Sequence, residues 1–169
     1  MARKPPPPGG SPWALSKRIE TFVVIQADPA LVWSTLTDFR ALPEWNTFLR
    51  IPVGEAREGS VLEVTISIPG SRSMKFKPTV LRALPNRELR WLGRVLMPGL
   101  FDGEHWFRVT PQAGGTRFEQ CETFNGILVP FVMGGFPYRA TQRAFESFNA
   151  SLKARVETLA AAKPAAGVA

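Results

Sequence analysis

Between Phe48 and Thr123 apolar and polar residues alternate. Few folds accommodate so long a period-two pattern when one long helical pattern follows it. In Val61–Ile68, Leu62, Val64, Ile66 and Ile68 share one face, and Glu63, Thr65 and Ser67 the other. Met74–Val80 repeats this, with Met74, Phe76, Pro78 and Val80 opposed to Lys75, Lys77 and Thr79. Glu88–Leu96, Glu104–Thr110 and Thr116–Phe124 continue the series. Successive strand side chains point to opposite faces, so each segment reads as a strand with one face in a core. Pro69-Gly70, Pro85-Asn86, Pro98-Gly99 and Gly114-Gly115 separate them. Short strands joined by such turns predict an antiparallel meander.

The flanking segments complete the order. Arg18–Ala27 is rich in β-branched residues and reads as a strand. Asp28-Pro29 then opens a helix, with Asp as cap and Pro at the first helical position, where a missing N–H costs nothing. Leu31, Val32, Thr35, Leu36 and Phe39 recur at helical spacing, and a second short helix is expected around Ala41–Trp45. At the other end, Thr141, Phe145, Phe148, Leu152, Val156 and Leu159 make one stripe of a helix over about Tyr138–Ala161. Strand, two helices, about six strands and one long helix is an α+β layout. A curved sheet wrapped around one helix tends to leave a cavity between them.

Composition narrows the class. A chain of 169 residues, 44% hydrophobic and 21% charged, is expected to form one globular domain. Residues 1–15 are expected to be a disordered Pro-rich lead-in, 16–161 the single domain, and 162–169 a disordered tail. The opening MARKPPPPGGSPW lacks the apolar core of a signal peptide, and no run is long enough for a membrane span. With one cysteine, Cys121, a cytoplasmic location is expected. The net charge of +7 arises from scattered residues and not from a basic block, so no nucleic-acid partner is expected. Neither are stable membrane insertion or any assembly beyond a monomer or weak dimer.

Three segments then carry a resemblance: ADPALVWSTLTDFRALPEWN at 27–46, ELRWLGRVLMPGLFDGEHWFRV at 88–109 and GGTRFEQCETFNGIL at 114–128. With the long C-terminal helix, the chain resembles the START/birch-pollen-allergen superfamily of helix-grip proteins. That superfamily includes the polyketide cyclase/dehydrase and lipid-transport group. The resemblance implies a helix-grip fold, a curved antiparallel sheet of about seven strands gripping the last helix around a deep apolar cavity. Members carry lipids, sterols, hormones or quinones, cyclise polyketides, oxygenate aromatics or activate a chaperone ATPase, and fold does not choose among these.

Strand parity suggests what faces that cavity. His105, the single histidine, shares a face with Phe107 and Val109; Phe118, Gln120, Glu122 and Phe124 share one on the next strand. If the two strands form a hairpin with apolar faces inward, His105 lies across from Gln120 or Glu122. The three are candidate polar anchors on an apolar wall, and His105 and Glu122 are candidate catalytic groups. An internally satisfied pair is the competing reading. Val64, Ile66, Met74, Phe76 and Trp91 are further wall candidates, with Thr141, Phe145 and Phe148 from the helix. Trp33, Trp45 and Phe48 are candidates near the mouth. Asn46 would turn its amide toward a ligand or toward the backbone at its helix end. The segment Phe124–Pro137 would form either a flap over the cavity or a kinked lead-in to the helix. Lys75, Lys77, Arg90, Arg94, Arg108 and Arg117 would make a basic outer sheet face. No metal-ligand spacing, P-loop, Rossmann fingerprint or G-x-S-x-G is present, so no metal or other cofactor is expected. The expected function is binding of a small hydrophobic molecule (lipid, polyketide or aromatic) as carrier or sensor. A polyketide-type cyclase or dehydratase using His105 for proton transfer is the alternative. A protein-interaction module of the chaperone-activator type is the third.

Overall fold

A computed structural model describes residues 16–95 and 97–162. The expected lead-in and the last seven residues of the expected tail lie outside the described residues. The chain runs β1 (Ser16–Ile25), α1 (Pro29–Thr37), α2 (Leu42–Trp45), β2 (Leu49–Val53), β3 (Glu63–Ile66), β4 (Met74–Phe76), β5 (Thr79–Leu84), β6 (Glu88–Arg94), β7 (Asp102–Gln112), β8 (Gly115–Asn125), α3 (Val129–Val132) and α4 (Gly135–Ala162). Asp28 takes the extended cap position and Pro29 follows at the first helical turn, although the Asp28 carboxylate makes no capping hydrogen bond.

The strands form an antiparallel five-stranded sheet in the order β1-β8-β7-β6-β5 and a three-stranded sheet β2-β3-β4. Backbone bonds join the two. Leu62 N donates to Pro78 O at 2.9 Å and Val80 N to Ser60 O at 2.8 Å. The expected strand Met74–Val80 is divided at Pro78, between β4 and β5. Proline has no N–H for the ladder and bends the strand there, while its carbonyl still accepts. Counted as one kinked strand, β4 and β5 bring the total to the seven that the resemblance implies. The result is a helix-grip fold, a curved sheet closed around α4.

The helix starts three residues before the expected Tyr138, because Pro137 is tolerated in a first turn. Phe145, Phe148, Leu152 and Val156 are fully buried along one stripe, with Thr141 beside them; Leu159, the last member, is 37% exposed. Within Phe124–Pro137, Val129 of α3 and Met133 just after it are buried, and Ile127, Phe131 and Val132 are exposed. Lys17 Nζ ties the segment down by donating to Met133 O at 2.8 Å.

The outer sheet face is charge-matched. Lys77 pairs with Glu63 at 2.8 Å, and Arg90 with Glu88 and Glu104 at 2.9 and 3.0 Å. Arg108 and Arg117 both reach Glu119. Arg94 approaches Asp102 at 3.9 Å. Arg18, Arg90 and Arg108 also gather over the Trp106 ring at 4.6–5.0 Å. Of the six expected basic residues, Lys75 makes no ion pair among the described residues.

Candidate functional site

The inner face of the sheet is organised in cross-strand rows. One row is Leu89, Phe107, Gln120 and Thr21; the next is Trp91, His105, Glu122 and Ile19. Bulky side chains fill both. The third row begins Gly93, Gly103 and Phe124. Two facing glycines leave out two side chains at one level of the sheet, and a cavity of about 350 Å³ opens there. Ile66, Ile68, Met74 and Phe76 line it from β3, β4 and the connection between them, Glu122 and Phe124 from β8, and Thr141 and Phe145 from α4. Phe48, Phe101, Val132 and Met133 close its sides. A Cβ on Gly93 would stand 3.2 Å from the Phe76 ring, and one on Gly103 only 2.8 Å from Glu122 Oε1. Glycine at 103 therefore leaves room for the carboxylate.

Glu122 is the acidic group in this lining. It pairs across the hairpin with His105, and its Oε2 lies 3.3 Å from His105 Nδ1. His105 Nε2 lies 3.3 Å from Gln120 Nε2. If the amide nitrogen donates to Nε2, the imidazole carries its proton on Nδ1 and donates it to Glu122. The ring is 2% exposed. Trp91 stacks on it at 5.0 Å and 13°, and Phe107 and Phe145 approach at 4.7 and 5.1 Å. His105 is thus sealed behind Glu122 and does not border the cavity. Gln120 Oε1 is buried with no hydrogen-bond partner among the described residues. An imidazole placed this way orients the carboxylate and shares its proton; the atoms that can touch a cavity occupant belong to Glu122.

The structure brings eight of the expected ligand-site residues to the cavity: Phe48, Ile66, Met74, Phe76, Glu122, Phe124, Thr141 and Phe145. Met74 stands at the mouth, more than half exposed. Val64, Trp91, Phe107, Phe118 and Phe148 are buried in the close-packed core beyond the glycine row. His105 and Gln120 lie with them. Trp33 packs against that core from α1, and Trp45 meets Phe148 at 5.2 Å. Asn46 serves the backbone: its Nδ2 donates to Leu42 O at 2.6 Å, and its Oδ1 accepts from Phe48 N and Leu49 N at 3.1 and 2.7 Å.

Sequence reasoning missed Gly93, Gly103, Ile68, Phe101 and Met133 as site residues. A signal for the glycines was present. Gly93 has the parity of Trp91, and Gly103 that of His105, so both occupy inward positions without a side chain. A second, wider groove of about 730 Å³ runs outside, between the end of β3 and α4. Thr47, Ser67, Arg139, Arg143 and Ser147 are among its lining, and it shares Phe48 with the apolar cavity.

A family model described as polyketide cyclase / dehydrase and lipid transport matches residues 16–157. Several solved structures have similar folds. A protein of Chromobacterium violaceum is 19% identical with a TM-score of 0.64, over 83% of this chain and 96% of that one. The di-domain ARO/CYC StfQ of the steffimycin biosynthetic pathway is 16% identical with a TM-score of 0.69; the match covers 87% of this chain and 52% of that one. Norcoclaurine synthase from Thalictrum flavum, solved with dopamine and hydroxybenzaldehyde, is 13% identical with a TM-score of 0.64, over 97% and 100%. No curated protein matches this chain.

Proposed function

The chain belongs to the polyketide cyclase / dehydrase and lipid transport family, and from that premise we propose that it binds a small apolar molecule in the sheet–helix cavity. Glu122 is the polar anchor. The observation that carries this reading is an apolar cavity of about 350 Å³ with one acidic side chain in its lining, backed by a buried imidazole. Desolvated contact with Ile66, Phe76, Phe124 and Phe145 supplies affinity, and Glu122 selects an occupant that offers a hydroxyl or N–H to its carboxylate.

Native mass spectrometry of the purified protein tests this, followed by titration with the neutral probe N-phenylnaphthylamine. The expected result is a stoichiometric apolar adduct or saturable probe binding, weakened when Ile68→Trp adds bulk at the cavity wall. Neither adduct nor saturable binding, or binding unchanged in I68W, would overturn the assignment.

One observation favours a second reading, a cyclase or dehydratase. The same carboxylate–imidazole pair is suited to moving a proton at an enolisable or hydroxylated substrate. In that reading Glu122 touches the substrate and His105 is a positioning residue. Glu122→Gln separates the two. Under the carrier reading the variant still holds an apolar occupant, with orientation relaxed. Under the enzymatic reading binding persists while turnover of a polyketide-like substrate is lost. Turnover at the full rate in Glu122→Gln would exclude the enzymatic role.

A further inference from the structure

We propose that the cavity end of the molecule docks on the surface of a bilayer containing anionic lipid. The first observation is an unpartnered apolar rim. The segment around α3 turns Val129 and Met133 into the core, and its other side faces water. Phe131 is 83% exposed and Ile127 59%, with Val132 beside them. Ile127 N donates to Gly99 O and Leu128 N to Leu100 O, each at 3.1 Å, so this segment lies against the β6–β7 connection. That connection exposes Val95 and Met97. Val95, Val132 and Met74 also line the cavity, which places the apolar side chains around its opening. Scattered exposed apolar residues are ordinary, but a contiguous group around an opening marks a contact surface.

The second observation is charge. The described segments forming this end are 67–76, 93–95, 97–102 and 125–143. They carry Arg72, Lys75, Arg94, Arg139 and Arg143, and Asp102 is their one carboxylate. Lys75 and Arg94 line the mouth, and Arg139 and Arg143 line the neighbouring groove. Lys75, Arg139 and Arg143 make no ion pair among the described residues, whereas the outer sheet face is cross-paired with Glu63, Glu88, Glu104 and Glu119. Arg72, Lys75, Arg139 and Arg143 thus place positive charge without an ion pair among the described residues where the apolar side chains project, with Asp102 as the one carboxylate of these segments. Apolar side chains ringed by long basic ones, which keep their heads at the headgroup level, match the interface of an anionic bilayer. Docking there would present the cavity mouth to the lipid surface.

Flotation of the full chain with vesicles tests this, comparing phosphatidylcholine alone with a phosphatidylcholine/phosphatidylserine mixture at low and high salt. The expected result is partition onto the anionic vesicles that falls as salt rises. The double variant F131S/I127S should lose on the order of tenfold or more in partition coefficient, with its circular dichroism unchanged. Neutralising Lys75, Arg139 and Arg143 to Gln should cost about fivefold per cation. Absence of partition onto anionic vesicles would overturn the proposal. So would full partition by F131S/I127S, or an equal loss on neutralising Arg90 and Arg108 of the sheet face. Binding of acidic polyglutamate through the same cations, with no vesicle binding, would assign the surface to a protein partner instead. Vesicle flotation does not read cavity occupancy, so this proposal and the cavity assignment fail separately.

Discussion

The carboxylate of Glu122 is nearly buried, and its tolerance depends on one imidazole. Removing His105 would leave that carboxylate without its partner and open a void among Trp91, Phe107 and Phe145. His105→Ala is expected to lower stability by about 2–4 kcal/mol, checked by urea denaturation. Glu122→Gln keeps a hydrogen-bonding group of the same shape and should cost about 1 kcal/mol or less in the same assay. Gly103→Ala tests the geometry from the other side. Its methyl would displace Glu122 Oε1, so probe binding should weaken more than stability does. Cys121 is a contrasting case. Strand parity points it away from the cavity, yet it is 3% exposed, beneath the Trp106 and arginine layer of the outer face. Burial pushes its thiol pKa up, against smaller opposing contributions from Trp106 and Arg18. A disulfide reagent should therefore modify it only after denaturant unfolds the chain. That His105 would lie across the hairpin from Gln120 or Glu122 was legible from parity; the register that chooses Glu122 came from the structure. That the ring would be sealed behind the carboxylate was not legible, because α4 supplies Phe145 from a distant part of the chain.

At the scale of elements, the connections are held by named polar groups. Asn46 terminates α2 and starts β2 with three hydrogen bonds. Asn46→Ala would leave buried N–H groups at Phe48 and Leu49, at a cost of about 2–4 kcal/mol in thermal or chemical unfolding. Gly126 sits at φ +135°, and a Cβ there would collide with the Leu100 carbonyl. It lets β8 turn against the β6–β7 connection, a role visible only once the two segments are seen to meet. The far end of α4 is anchored by Glu157, which accepts from Lys153 and from Gln26 N at 2.8 Å. The Lys153 hydrogen bond, and then that backbone N–H, hold its carboxyl below its ordinary value of 4.5. A carboxyl depressed in the folded state stabilises above its unfolded pKa, and the contribution is lost as pH falls through the folded one. Stability should therefore decline below about pH 4.5, with a shallower decline in Glu157→Gln, read by thermal unfolding across an acid pH series. Helix α4 itself was legible from its stripe. The division of one strand at Pro78 was signalled by the proline, but period-two alternation runs straight through it.

For the whole molecule, the cavity is a local absence of side chains in an otherwise well-filled interior. Most of the grip between sheet and helix is close-packed, and space remains at the Gly93 and Gly103 row. An occupant bound there should stabilise the native state by about 2.7 kcal/mol at a hundredfold excess over its Kd. A thermal shift titration with the identified adduct checks this. The net charge of +7 says little by itself, because Arg90, Arg108 and Arg117 of the sheet face are matched with glutamates.

The amino-acid sequence alone determined the α+β order, the strand faces and the shared inward side of His105, Gln120 and Glu122, while the helix-grip fold was implied by the family resemblance. The order and the faces follow from periodicity and turn chemistry, which are local and survive in one dimension. Tertiary structure alone decided which inward residues fill the core and which border the cavity. It also decided which lysines and arginines are neutralised and which apolar residues stay exposed around the opening. Those outcomes depend on cross-strand registers and on the helix returning over the sheet, which bring together residues whose separation in sequence carries no trace of their contact.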